Sequence, residues 1–134
     1  MGELTNRELI DKAKTVLKPR KLADENRAGD VACALLSSGG NLYLGVCIDV
    51  GSGMGFCAEH SAIAAMITAG ESSIAKIVAV WGDDTVLPPC GRCREFMHQI
   101  DRTNLTKTDV ILSETSSVKL QELLPHPYDE VWNR

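Results

Sequence analysis

Three cysteines and a glutamate carry the clearest chemistry in the sequence. Cys57-Ala58-Glu59 lies in one segment and Pro89-Cys90-Gly91-Arg92-Cys93 in another. Cys57 reads as opening one helix, and Cys90 and Cys93 as opening the next. A helix N-terminus lowers a thiol pKa, because its free N–H groups and dipole stabilise thiolate. Thiolate is the form that binds zinc. Crossover helices that start at the same edge of a sheet set their N-termini side by side, so Cys57 can meet Cys90 and Cys93. Three ligands are one short of the four that close a structural zinc site. An open fourth position holds water, whose pKa zinc lowers to about 7. Glu59, two residues past the first cysteine, stands where it can move protons without binding the metal. Three thiolates outweigh one Zn²⁺ and weaken it as a Lewis acid, so a nearby cation would help. Arg92 and Arg94 are the candidates; the other reading is two solvated arginines on a helix surface.

These residues need elements to hold them. Thr5 and Glu8 form a capping box ahead of Leu9, Ile10, Ala13, Val16 and Leu17 at helical spacing, with Pro19 expected to stop the helix. Polar residues Ala23 to Asp30 lead to a short apolar run, Val31 to Leu36. Ser38-Gly39-Gly40-Asn41 then signals a hairpin, and the return strand is Leu42 to Ile48. Asp49 to Gly55 is a glycine-rich loop without a phosphate-loop ending. A helix follows over 57–69, a buried strand over 74–81, an amphipathic helix over 91–102 and a strand over 109–113. Ser117 is expected to cap a last helix that Pro125 ends. Strands alternating with helices after residue 49 imply parallel neighbours, and only the first pair reads as a hairpin.

Length and composition bound the answer. The chain has 134 residues, enough for one domain over 1–134 with a core mostly of Ala, Leu, Ile and Val. Its 14 Lys+Arg and 18 Asp+Glu give a net charge of −4, which argues against a nucleic-acid partner that depends on phosphate neutralisation. No apolar run nears the ~18 residues of a membrane span, and Met1-Gly2-Glu3-Leu4 lacks a signal-peptide pattern. A cytoplasmic protein is the expectation. The five cysteines are an odd count, unlike a fully disulfide-paired secreted domain.

The pattern Cys57-x-Glu59 followed by Pro89-Cys90-x-x-Cys93 matches a known signature of zinc nucleobase deaminases. At these residues the chain resembles the cytidine deaminase superfamily. Within it, Pro89 to Arg94 and Glu122-Leu123-Leu124-Pro125 are most similar to blasticidin-S deaminase-type members. The resemblance implies a cytidine deaminase-like α/β fold, three layers α/β/α around a mixed five-stranded sheet. It also implies Zn²⁺, a small-molecule substrate, and a homotetramer whose sites borrow residues from neighbouring subunits. Under it, Cys57, Cys90 and Cys93 hold the metal and Glu59 shuttles protons while ammonia leaves. An Asn-x-Glu that grips a ribose in nucleoside enzymes reads here as Cys47-Ile48-Asp49. Cys47 cannot reproduce an amide's two-sided hydrogen bonding, and Asp49 is one methylene shorter than Glu. The family's usual arginine after the catalytic glutamate is His60 here, so Arg92 is expected to offset thiolate charge.

Other residues admit two readings. Phe56 and Ala58, flanking Cys57, either wall a substrate pocket or pack in the core. Tyr128 and Trp132, aromatic residues in a polar tail, either stack on a flat substrate ring or dock on the domain surface. Cys33 and Trp81 read as core, Asp83-Asp84 as a solvated turn, and His98 and His126 as surface histidines. Two other functions fit part of the pattern. One is a structural zinc protein in which Cys33, Cys47 or His60 completes the ligand set. The other is a CxxC redox protein using Cys90 and Cys93. Both leave Glu59 without a role.

Overall fold

The computed structural model describes residues 4–132. The first three and last two residues of the domain expected over 1–134 lie outside the described residues. Helix α1 (Asn6–Lys14) starts as the sequence implies: Thr5 Oγ1 accepts from the Glu8 N–H at 3.1 Å, and Glu8 Oε1 accepts from the Thr5 N–H at 2.9 Å. The helix ends well before Pro19, because the Val16 and Leu17 N–H groups turn back three residues, to Ala13 and Lys14. Leu9, Ile10 and Ala13 are buried on the sheet.

The sheet is built outward from β2 (Arg27–Ser37). This strand begins four residues before the apolar run, and its register with β3 shifts between Ala28 and Ala32. Its side chains alternate between two cores. Cys33 and Leu35 enter one, with residues of the helices that follow; Ala32, Ala34 and Leu36 enter the other, under α1. Strand β3 (Leu42–Asp49) returns antiparallel through a turn in which Gly40 has a φ of 86°. A short β1 (Arg20–Lys21) pairs with the start of β2.

The expectation of parallel neighbours is corrected at one pair. Strand β4 (Ile74–Trp81) lies antiparallel to β2, on the side away from β3. The helix between them, α2 (Ala58–Thr68), therefore crosses over β2 to join two like-directed strands that do not touch. Beyond β4, a short β5 (Thr85–Leu87) pairs antiparallel with its end, and β6 (Asp109–Ser113) pairs with its start as the sheet's parallel pair. A further hairpin then appears where Ser117 was expected to cap a helix. Ser117 lies inside β7 (Ser116–Lys119), paired with Ile111 of β6. Helix α5 (Leu120–Leu123) starts after it, with Glu122 Oε2 accepting from the Lys119 N–H at 2.9 Å. Strands β2, β3, β4 and β6 lie where the sequence implies, β7 replaces an expected helix start, and with the short β1 and β5 the sheet has seven strands rather than five; the mixed α/β architecture is as expected.

The face opposite α1 carries α2 and α3 (Gly91–Ile100), followed by a short α4 (Asn104–Lys107). Helix α2 lies almost on the backbone of β3. A Cβ at Gly45 would stand 2.3 Å from the Ala62 nitrogen, so only glycine fits there. Ser61 donates to the Val46 carbonyl at 2.7 Å. Asn104 is fully buried: its amide accepts from the Ile74 N–H at 2.8 Å and donates to the Met97 carbonyl at 2.9 Å. It ties the end of α3 to the start of β4. No helix among the described residues is long and apolar enough to cross a membrane.

Candidate metal centre and active site

Strands β3 and β4 run the same way, so the helices that follow them start at the same end of the sheet. Before α2 the chain folds back. Phe56 exchanges two backbone hydrogen bonds with Ile48, at 3.0 and 2.9 Å. Gly55 passes so close that a Cβ would lie 2.5 Å from the Ile48 oxygen. Cys57 is then the N-cap of α2, and Cys90, after Pro88-Pro89, is the N-cap of α3. Neither thiol makes a capping hydrogen bond. Cys93 lies one turn into α3, fully buried.

The three Sγ atoms lie within 4.8 Å of one another, with Cys57–Cys90 and Cys90–Cys93 each at 3.4 Å. Sulfurs bound to one zinc at about 2.3 Å stand about 3.8 Å apart at tetrahedral angles, so the donor set fits that ion. Electrostatics divide the three thiols: the lowering expected at a helix start is found at Cys90 and not at Cys57 or Cys93. Burial, then the Cys90 thiol, pushes Cys57 up to about 11. Burial, then the charge of Glu59, raises Cys93 further. At Cys90 burial opposes ionisation, but the N–H groups of Cys93 and Arg92 and both neighbouring thiols outweigh it and lower the pKa. Three sulfurs this close ionise together only if a cation shares their charge.

Glu59 follows on the first turn of α2, only 5% exposed. Burial raises its pKa, opposed by its own N–H and by Cys93. A carboxyl held toward its neutral form can both take and give a proton. Beside it opens a cavity of about 380 Å³. Cys47, Asp49, Phe56 and Ala58 line it with Cys57, Cys90, Glu59 and Arg92. Cys47 Sγ accepts from the Val31 N–H at 3.3 Å and lies 3.5 Å from Asp49 Oδ2.

The arginines divide. Arg92 donates to the Gly55 carbonyl at 3.2 Å, and among the described residues it makes no hydrogen bond to a sulfur. Arg94 braces the loop, donating to Pro89 at 2.8 Å and Leu123 at 3.1 Å. His60 does reach a sulfur: its Nδ1 is 3.5 Å from Cys93 Sγ, and its ring stacks on Phe96 at 4.6 Å. Burial, then Arg92, lowers its pKa. Asp84 pairs with Lys14, on the α1 side.

Sequence reasoning missed Asp30, Val31, Ala79 and Leu87, which also line the cavity. The Arg27-x-x-Asp30 charge pair was the available signal for the first. It also missed the tail's anchor. His98 is buried, not on the surface: its Nε2 lies 2.7 Å from Asp129 Oδ1, while Arg102 donates to Oδ2 at 2.8 Å. Tyr128 and Trp132 are exposed and meet edge to face at 5.2 Å, outside the lining of this chain's cavity. Trp81, expected in the core, is also half exposed. The hydrogen bond from His98 lowers the Asp129 pKa against burial. The clasp is therefore intact at neutral pH and is lost only as pH falls through that depressed value. Asp129→Ala is expected to free the tail, read as increased proteolysis after Pro125 and a Trp132 emission change in a Trp81→Phe background. Zinc content should not change.

Comparisons agree with this geometry. Residues 5–107 match the cytidine and deoxycytidylate deaminase zinc-binding region. A cytidine deaminase of Aliivibrio fischeri is 36% identical over 92 residues, 66% of this chain; the chain spans only 28% of that relative's length. The crystal structure of cytidine deaminase from Burkholderia pseudomallei superposes with a TM-score of 0.74 at 25% identity, covering 92% of this chain and 99% of that one. That from Mycobacterium tuberculosis gives 0.75 at 23% identity, covering 91% and 95%.

Proposed function

Because the chain belongs to the cytidine and deoxycytidylate deaminase family, we propose that it is a zinc-dependent hydrolytic deaminase releasing ammonia from a cytosine-like nucleoside, base or related amino-heterocycle. One arrangement carries the reading. A buried carboxyl held toward neutral stands beside three converging sulfurs at the wall of a substrate-sized cavity. Cys57, Cys90 and Cys93 would hold the zinc, which when bound supplies a Lewis acid that activates water near neutral pH. Glu59 takes a proton from the attacking water and gives it to the ring nitrogen beside the reacting carbon, then takes the remaining proton of the added hydroxyl and delivers it to the departing amine. The C–N bond breaks, a C–O bond forms, and ammonia leaves. Ala58 and Phe56 present apolar surface for a flat ring, and Arg92 brings positive charge to the rim. His60, beside Cys93, would offer that thiolate a hydrogen bond rather than a charge.

Within this class a blasticidin-like nucleoside or a free base fits better than cytidine. Cys47 is engaged by Val31 and Asp49 and offers no amide pair for a ribose. The exposed Tyr128 and Trp132 would then close over a substrate from a neighbouring copy in a homotetramer. The cytoplasm suits five free thiols. A structural zinc site is disfavoured: among the described residues the metal-competent group is Cys57, Cys90 and Cys93, without Cys33, Cys47 or His60. The test is ammonia release by zinc-loaded protein from cytosine, cytidine, deoxycytidine, blasticidin S, guanine and aminotriazines. Turnover of at least one is expected; silence across the panel would sink the reading.

A further inference from the structure

Trp81 is one of two tryptophans in the chain and the last residue of β4. Alternation and register fix its side of the sheet. Along β4, Ile77 enters the core under α2 and α3, Val78 and Val80 enter the core under α1, and Ala79 lines the cavity. Trp81 comes two residues after Ala79, so it stands on the cavity face. Its cross-strand partners agree. Trp81 sits opposite Val31 of β2, and Ala79 sits opposite Leu87 of β5. Val31, Ala79 and Leu87 all line the cavity that Glu59 and the cysteines share. Directly opposed residues point to the same face. Trp81 therefore extends a wall whose other residues already face the site.

A single exposed hydrophobic residue needs no explanation of its own. This one differs in what surrounds it. The indole is 52% exposed. Among the described residues the ring pairs are His60 with Phe96 and Tyr128 with Trp132, so the Trp81 face has no aromatic partner. Its backbone is held on both sides, by Val31 of β2 and by Thr85 of β5. It is a fixed platform rather than a loop tip. Trp81 is not itself in the cavity lining. A bare base that fills the cavity stops short of the indole, and a group that projects from the mouth along β4 lies against it.

The geometry points to Trp81 as a specificity residue whose indole receives the face of a second ring, a sugar or a flat heterocycle, attached to the amino-heterocycle. This rests on the deaminase reading and narrows its substrate class to ring-substituted heterocycles rather than bare bases. The indole face is electron-rich, and the C–H groups of a sugar or the edge of a flat ring carry partial positive charge. Contact also removes apolar indole surface from water.

Two measurements on zinc-loaded protein test this. The first is kcat/KM for ammonia release from cytosine, cytidine and blasticidin S. At least one of the two ring-bearing substrates should be preferred over cytosine. Trp81→Ala should cut that preference about tenfold, chiefly through KM, and Trp81→Phe should keep most of it. A merely structural role would lower turnover of all three alike. The second is tryptophan emission in Glu59→Ala, Trp132→Phe protein, where Trp81 is the remaining tryptophan. The preferred ring-bearing substrate should give a saturable change, and cytosine none. Turnover confined to cytosine, an unchanged preference in Trp81→Ala, or turnover with an unresponsive emission overturns the proposal and leaves the deaminase reading standing. A saturable emission change without ammonia release from any substrate by the wild type overturns the deaminase reading and leaves the Trp81 contact. Silence in both measurements overturns both.

Discussion

Replacing Glu59 by alanine is expected to leave zinc bound at the wild-type stoichiometry and to lower kcat by about 10⁴-fold. The reason is the division of labour at the site. The three sulfurs converge without Glu59, so metal retention should not need it. No other carboxylate among the described residues lies on α2 or α3 facing that cavity. Asp30 and Asp49 come from β2 and β3 and have their own contacts. Loss of a positioned proton carrier removes help from every proton movement in the reaction, and a 10⁴-fold effect corresponds to about 5.5 kcal/mol of barrier. Stability should hold or rise, because the variant no longer buries a carboxyl that burial disfavours in its charged form. Glu59→Gln should be equally inactive, since an amide keeps the shape and cannot carry the proton. Metal analysis, thermal denaturation and ammonia release on the same preparations separate these outcomes.

The second large effect belongs to Cys90. Cys90→Ala is expected to drop zinc from about one equivalent to near none. Two cysteines would remain, one on each helix, where the ion needs three to be held with its fourth position open. In buffer with zinc about 1,000-fold above its dissociation constant, the lost linkage is worth about 4 kcal/mol, or about 15 °C in Tm for a chain of this size. The variant's Tm should no longer respond to added zinc. Cys33→Ala provides the contrast. Cys33 is also fully buried, behind Glu59 in the core, but it is not part of the sulfur cluster. Its replacement should cost packing and leave zinc intact. Full zinc occupancy in Cys90→Ala would overturn the ligand set.

Which features were legible in the sequence follows from how local their causes are. The capping box at Thr5 and the helices after Cys57 and Cys90 depend on neighbours within a turn or two. The cysteine spacing placed the sulfurs on helix starts, and the like direction of β3 and β4 brings those starts together. That direction arises differently from the expectation. The adjacent parallel pair read from strand–helix alternation is in fact two strands flanking an antiparallel β2. Pairing partners are chosen by long-range packing, which periodicity does not encode. Ser117 shows the same limit. A serine ahead of an apolar run is a cap signal, but here Val118 pairs with Val110 first and defers the helix to Leu120. His98 read as a surface residue because its partner, Asp129, lies far along the chain. Asp30 escaped notice because β2 reaches back into the polar stretch before Val31, and pairing with β1 and β3 reveals that extension.

The most direct test of the central claim is ammonia release measured side by side on wild-type and Glu59→Ala protein, both with zinc quantified, across cytosine-like substrates. The expected result is turnover by the wild type on at least one of them, with the variant retaining its zinc and losing about 10⁴-fold in rate. A zinc-bound wild type that releases no ammonia, or a variant that releases it at the wild-type rate, would contradict the assignment of this site.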